Sequence, residues 1–174
     1  KIAPFNRYQT LDVVRAVCEA GREREIALYT GNDDSIVADL VTPFRLGGPG
    51  PGVSIAGGLL GHWCVWTRRA VELLERIQAL RAQEAPIPAD LLALGAHITD
   101  ANAALFDSAH RFAGCLPGLH AILLRQGLLQ SAACLDPAAA LSPGQAEAIE
   151  RVCAAYPHLN DDAFVGAHLA EWRG

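Results

Sequence analysis

Apolar extended runs recur in the first half of the chain at nearly constant spacing, and segments with helical periodicity lie between them. The runs are Lys1 to Phe5, Ile26 to Thr30 and Val53 to Ala56, with starts roughly 25 to 27 residues apart, about one strand-plus-helix unit each. Between the first two, Thr10 is a candidate cap for a helix carrying Val13, Val14, Val17 and Cys18, and Gly21 can close it. Between the second and third, Asp33 or Asp34 can cap a helix with Ile36, Val37, Leu40 and Val41. After the third, Trp63, Trp66, Ala70, Leu73, Leu74, Ile77 and Leu80 recur at steps of three and four, which describes one long amphipathic helix. Such regular alternation predicts an α/β array with parallel strands.

A dinucleotide-binding sheet would alternate in the same way, but no Gly-rich fingerprint opens a helix after the first strand. The run from Gly47 to Gly52 precedes a strand instead and reads as a structural turn. From about Glu84 strand patterns cease. Pro86 and Pro88 break the long helix, and Leu91, Leu94, Ile98, Ala101 and Leu105 trace another helical face. Pro117 opens a third helix that ends near Gly127. Ser142-Pro143-Gly144-Gln145 reads as a capping box before Ile149, Val152, Cys153 and Tyr156, and Asn160 or Asp161 opens a last helix. Residues 1–83 are therefore expected to form β/α units and 84–174 a helical extension packed on them.

Three β/α units cannot close a barrel, which needs eight strands and typically about 250 residues. The chain opens at Lys1 and runs directly into an apolar stretch, as expected of a cut within a strand. On this reading roughly five units lie upstream and the chain holds strands six, seven and eight of a (β/α)8 barrel.

Charge and composition exclude several partner classes. The net charge of -5 offers no basic surface for nucleic acid or an anionic membrane, and Arg68-Arg69 and Arg22 with Arg24 are short interrupted pieces. No window approaches the ~20 continuous apolar residues of a membrane span. The five dispersed cysteines lack a C-x-x-C pair, which fits reduced thiols and a cytoplasmic location. The six histidines form no ligand set, so no metal is expected, His62-x-Cys64 being the nearest approach to one.

Barrel enzymes carry their chemistry at the C-terminal ends of strands. Here those positions are Lys1 to Tyr8, Thr30 to Asp34 and Ser54 to His62. Lys1 is the single lysine against thirteen arginines, and it falls within an expected barrel strand. Desolvation there would lower its pKa and yield the neutral amine that attacks a carbonyl. Arginine bias alone could equally leave one lysine.

Three stretches resemble the dihydrodipicolinate synthase and N-acetylneuraminate lyase family of class I aldolases. Lys1-Ile2-Ala3 is similar to the family's Lys-Glu-Ala segment on strand six. Thr30-Gly31-Asn32-Asp33 resembles its Ser-Gly-Asp-Asp at the end of strand seven, and Gly52-Val53-Ser54-Ile55 its strand eight. In the tail, Pro117-Gly118-Leu119-His120 through Gly127-Leu128 and Leu141-Ser142-Pro143-Gly144-Gln145 resemble the family's later helices. The resemblance implies that Lys1 is the Schiff-base nucleophile for a 2-oxo acid such as pyruvate, in C–C bond cleavage or condensation. It also implies that no dissociable cofactor is needed and that the assembly is a homo-oligomer, a dimer or tetramer. A tyrosine on strand five and a threonine pair on strand two would lie upstream of Lys1. A barrel that has lost turnover and serves as a binding or assembly protein is the alternative, as is an imine-independent enzyme on a phosphorylated substrate.

The remaining candidates carry two readings each. Arg7, in a segment that departs from the family, could bind a carboxylate or phosphate bidentately or pair with Asp33 or Asp34. Asn32 and Asp33 could orient substrate hydroxyls or water, or Asp33 could cap its helix. Ser54 would lie near substrate, and Gly57 and Gly58 would let substrate approach the backbone. Gly61 and His62 open a helix whose N-terminus attracts anions. His62 could be an acid-base group or be stacked on Trp63 or Trp66.

Overall fold

The structure is a computed structural model that describes residues 1–46 and 52–173; the turn expected at 47–51 lies outside the described residues. The chain divides into two compact units, one of residues 1–60 and 73–99, the other of residues 61–72 and 100–174. The boundary expected at residue 83 falls just past the end of a helix, and the units divide otherwise.

In the first unit, α1 (Arg7–Glu19) is opened by Asn6, whose side chain accepts from the Tyr8 and Gln9 amides, rather than by Thr10. Thr10 sits one turn inside and is fully buried with Val14 and Val17, while Val13 is exposed, so the buried stripe is narrower than the periodicity suggests. Gly21, at φ +63°, closes the helix as expected, its amide reaching the Cys18 carbonyl at 3.0 Å. Next come β1 (Tyr29–Thr30) and α2 (Ile36–Val41), whose cap position is Ser35 rather than Asp33 or Asp34. Ile36, Val37, Leu40 and Val41 are buried, as the pattern predicts.

The parallel pairing runs through three consecutive segments. Ile2 bridges Thr30, and β1 pairs in parallel with β4 (Gly57–Gly58), with Tyr29 opposite Gly57 and Thr30 opposite Gly58. The third parallel segment therefore lies a few residues later than expected. Val53–Ser54, read as its start, forms β3 and pairs antiparallel with β2 (Pro43–Phe44). Gly52 makes this hairpin possible: its φ is +81°, and a Cβ there would stand 2.5 Å from the Phe44 carbonyl oxygen. The described residues contain these two two-stranded sheets and no closed barrel.

α3 (Thr67–Ala82) is shorter than the pattern suggested. Gly61–Cys64 forms a 3-10 turn, and Trp66 takes a left-handed conformation at φ +56°, so the helix begins only after it. α4 (Ala89–Leu105) follows Pro88, and its first turns belong to the β/α unit. There Gly95 lets it close on α2, since a Cβ would meet Val37 Cβ at 3.1 Å.

The second unit holds the end of α4 with α5 (Cys115–Arg125), α6 (Gln145–Ala155) and α7 (Asp162–Arg173). Its core includes Ala101, Leu105, Leu119, Ile122, Ile149, Val152 and Val165. Half of the expected capping box forms: Gln145 Oε1 accepts the Ser142 amide at 3.0 Å, but Ser142 Oγ turns away to Asp107. Among the described residues no helix is long and apolar enough to cross a membrane.

Two glycines of this unit make opposite demands. A Cβ on buried Gly118 would collide with the Leu105 carbonyl and stand 2.7 Å from Gln145 Nε2, whereas one on exposed Gly166 in α7 meets nothing within 4 Å. Gly118→Ala is expected to destabilise by about 1–3 kcal/mol through overpacking, and Gly166→Ala to stabilise by roughly 0.5–1 kcal/mol through helix propensity. Urea denaturation of the two variants checks the opposite signs.

Candidate functional site

Side chains alternate across a strand, and the parallel segments of the first unit have two different faces. Ile2, Leu28 and Thr30 point to the buried side. Lys1, Ala3, Tyr29, Gly31, Gly57 and Leu59 share the other, where Lys1, Tyr29 and Leu59 are exposed. Two glycines shape this open face. A Cβ at Gly31 would stand 2.9 Å from Lys1 Cε, 3.0 Å from Ala3 Cβ and 3.6 Å from the Leu59 carbonyl oxygen, so the lysine stem lies across the Gly31 backbone. A Cβ at Gly57 would fall 2.6 Å from the Tyr29 ring and 3.2 Å from its hydroxyl oxygen. Glycine at both positions lets a lysine and a tyrosine lie along the strand ends on neighbouring segments.

Behind this face lies a polar network whose centre is buried and whose Arg7 end reaches the surface. Asp39, fully buried in α2, accepts from Thr30 Oγ1 at 2.5 Å, from Asn32 Nδ2 at 2.9 Å and from the Arg7 guanidinium. Asn32 also donates to Thr10 Oγ1 at 3.0 Å and accepts the Phe5 amide at 3.1 Å. Phe5 has φ +50°, a left-handed conformation rare outside glycine, so Asn32 pins the turn that leads from Lys1 into α1. Arg7 completes its fork on Ser35 Oγ at 2.9 Å.

These contacts decide several of the candidate roles. Arg7 makes the pairing contact rather than reaching for a ligand, but with Asp39, not Asp33 or Asp34. Asn32 has its amide oxygen and nitrogen engaged by protein groups and is 2% exposed, so it is a positioning residue. Asp33 is half-buried, and its carbonyl accepts from Thr99 Oγ1 at 3.4 Å. Gly57 and Gly58 lie on the parallel ladder. Ser54 is not among them: β3 carries it to a cavity lined by Arg45 and Arg81. Asp39 and Tyr29 are the residues sequence reasoning missed. An acid inside the apolar run Ile36-Val37-Ala38-Asp39-Leu40-Val41 was a visible signal, whereas Tyr29 reads as one more strand former.

His62 belongs to the second unit and is buried there. Its Nδ1 and its amide both lie on Asn102 Oδ1, at 3.0 and 3.2 Å, and its ring meets Trp63 and Trp66 edge-on at 6.5 and 6.0 Å. Burial holds its pKa down at about 4 against the opposing Asn102 bond, so the ring is neutral and packed in the aromatic arrangement. The anion-attracting N-terminus expected at Gly61 is a four-residue 3-10 turn. At the start of α3 the protein supplies its own anion, Asp161, which accepts the Arg68 amide at 3.1 Å. A second buried carboxylate, Asp107, is desolvated, yet bonds from Ser142, His110 and the Gly114 amide outweigh that and hold it below the usual carboxylate range.

Among the described residues no group of three or more His, Cys, Asp or Glu side chains is placed to hold a metal ion. Comparison with protein-family models, curated proteins and solved structures gave no match.

Two outcomes follow from these geometries. Asn32→Ala strands the Phe5 amide and one Asp39 bond, and is expected to cost about 2–3 kcal/mol. Asn32→Asp keeps the shape but sets a second carboxylate against Asp39, so it costs more at neutral pH and recovers in part on acidification, when one proton relieves the repulsion. Chemical denaturation at two pH values checks both. For His62, the unfolded chain binds more protons than the folded one between its two pKa values, so its contribution is complete above pH ~6.5 and lost as pH falls toward about 4. The loss amounts to about 3 kcal/mol, and stability measured across that window should lose this slope in His62→Gln.

Proposed function

We propose that the chain forms part of a Schiff-base lyase or aldolase of the dihydrodipicolinate synthase type, acting on a 2-oxo acid such as pyruvate. The observation that carries this reading is Lys1 on an open sheet face, its stem across Gly31 on the neighbouring segment. The parallel pairing of Ile2, β1 and β4 in chain order, with α1 and α2 between them, supports strands six to eight of a (β/α)8 barrel.

Lys1 is exposed rather than desolvated as the sequence suggested. In the proposed reaction its amine, once deprotonated, adds to the C2 carbonyl, and the carbinolamine takes up a proton and loses water to give a protonated imine. That protonated imine accepts the electron pair of the C3–C4 bond as it breaks, which leaves an enamine and a released carbonyl. In condensation, loss of a C3 proton turns the imine into the enamine, whose electron pair forms the bond to a second carbonyl. Tyr29, level with Lys1 in register on the same face, is the hydroxyl to which this reading assigns proton movement during dehydration. Asn32, Asp39 and Arg7 act through position, fixing the loops on either side of the lysine. The enzyme is proposed to work in the cytoplasm as a homo-oligomer.

Incubation with pyruvate followed by borohydride should give a stable adduct that peptide mapping assigns to Lys1 Nζ. The adduct should vanish in Lys1→Ala. It should fall in Gly31→Ala, where the added methyl displaces the lysine stem, and form more slowly in Tyr29→Phe. Absence of an adduct with pyruvate and other 2-oxo acids, or one that survives Lys1→Ala, overturns the proposal.

A further inference from the structure

The first unit contains a cavity of about 520 Å³ that the chemistry at Lys1 does not use. Arg45, Arg81, Ser54 and Glu84 provide its polar lining, and Ile77 and Ile87 are among its apolar walls. It lies at the other end of β4: Arg81 Nη2 donates to the Ile55 carbonyl at 2.8 Å, before the strand, whereas Leu59, beside Gly31, follows it. Four residues of extended chain separate these points by roughly 13 Å.

Arg81 is held in an unusual way. Its Nη2 is shared between the carbonyls of Leu40 and Ile55, so the guanidinium is fixed by neutral acceptors that cancel none of its charge. Its Nε is buried without a hydrogen-bond acceptor, and burial draws the group below the ordinary arginine pKa. Among the described residues its Nη1 has no hydrogen-bond acceptor, which leaves it as the donor available to the cavity. Among the described residues no ion pair includes Arg81, Arg45 or Glu84. Two guanidiniums against one carboxylate leave one positive charge unbalanced. Arg81 is half-buried, so part of its hydration is lost without a counter-charge to replace it, and a ligand that supplies the charge offsets that loss.

We infer that this cavity is a second ligand site for a small monocarboxylic acid with an apolar body, whose carboxylate meets Arg81 and Arg45 and whose body packs against Ile77 and Ile87. Pockets of this size, mostly apolar with a few fixed polar groups, are the usual form of small-molecule sites. The site requires nothing of the imine chemistry, and either can be wrong without the other.

Titration calorimetry with phenylacetate tests it, with phenylacetamide as the uncharged probe and acetate as the probe without an apolar body. Phenylacetate should bind saturably, and the other two at least about tenfold more weakly, the loss expected for one charge-assisted contact or one buried ring. Arg45→Glu, at an exposed position, should weaken phenylacetate by about tenfold or more while the thermal midpoint holds. Arg81→Gln should abolish binding if that variant folds, and Arg45→Glu decides the matter if it does not. Lys1→Ala should leave the affinity unchanged, which separates this site from the lysine face. No saturation up to about 10 mM, equal binding of phenylacetamide, an unaltered affinity in Arg45→Glu, or loss in Lys1→Ala overturns the inference.

Discussion

The buried carboxylate of Asp39 is the constraint on which the first unit depends. A charge taken out of water is tolerated only when its lone pairs are satisfied, and here Thr30 and Asn32 from one stretch and Arg7 from another satisfy them. Each donor fixes a different element. Thr30 lies in β1, Asn32 in the loop beyond it, and Arg7 in the first turn of α1. One acid on α2 thus holds the end of a strand, the loop that follows and the start of another helix in a single arrangement. An apolar residue in its place could fill the volume but would not select among registers.

That network also explains why the two faces of the parallel segments differ. On the buried side the space is taken by Ile2, Leu28 and the Thr30 side chain. On the open side glycine replaces bulk at Gly31 and Gly57, and the room goes to Lys1 and Tyr29. A face built only for packing would place branched side chains there. Removing side chains to let a lysine lie along the backbone lowers β-propensity and packing at that point, a local cost of the kind usually found at functional sites.

Much of this was legible in the residues because it is local. Spacing placed the parallel segments at Lys1 and Ile26, and the Gly21 cap and the apolar faces of α1 and α2 followed from periodicity. What was not legible depended on partners distant in sequence. Val53-Ser54-Ile55 has the same alternation whether it pairs with Tyr29 or with Phe44, and the hairpin took Val53 and Ser54, leaving the parallel position to Gly57 and Gly58. Asn6 and Thr10 are both good caps; Asn6 prevails because its oxygen reaches two free amides while Thr10 is drawn into the Asn32 bond. For His62 the residues allowed an acid-base role or packing on the neighbouring indoles, and the fold decides for packing by burying the ring and adding the distant Asn102.

α2 is also where the lysine face and the second cavity come closest in chain terms. Asp39 holds the loops around Lys1, and the carbonyl of the next residue, Leu40, is one of the two acceptors of Arg81. The helix has six residues, too few to absorb a change at one position by bending over several turns. Any shift of the Arg81 guanidinium toward an anion pulls on the Leu40 carbonyl. The adjacent Asp39 carboxylate, bound by three donors, resists that pull or transmits it to Thr30 and Asn32. Packed cores respond to such loads by discrete rearrangement more readily than by gradual deformation. The short helix therefore carries one contact of each region on adjacent residues, the Asp39 carboxylate and the Leu40 carbonyl.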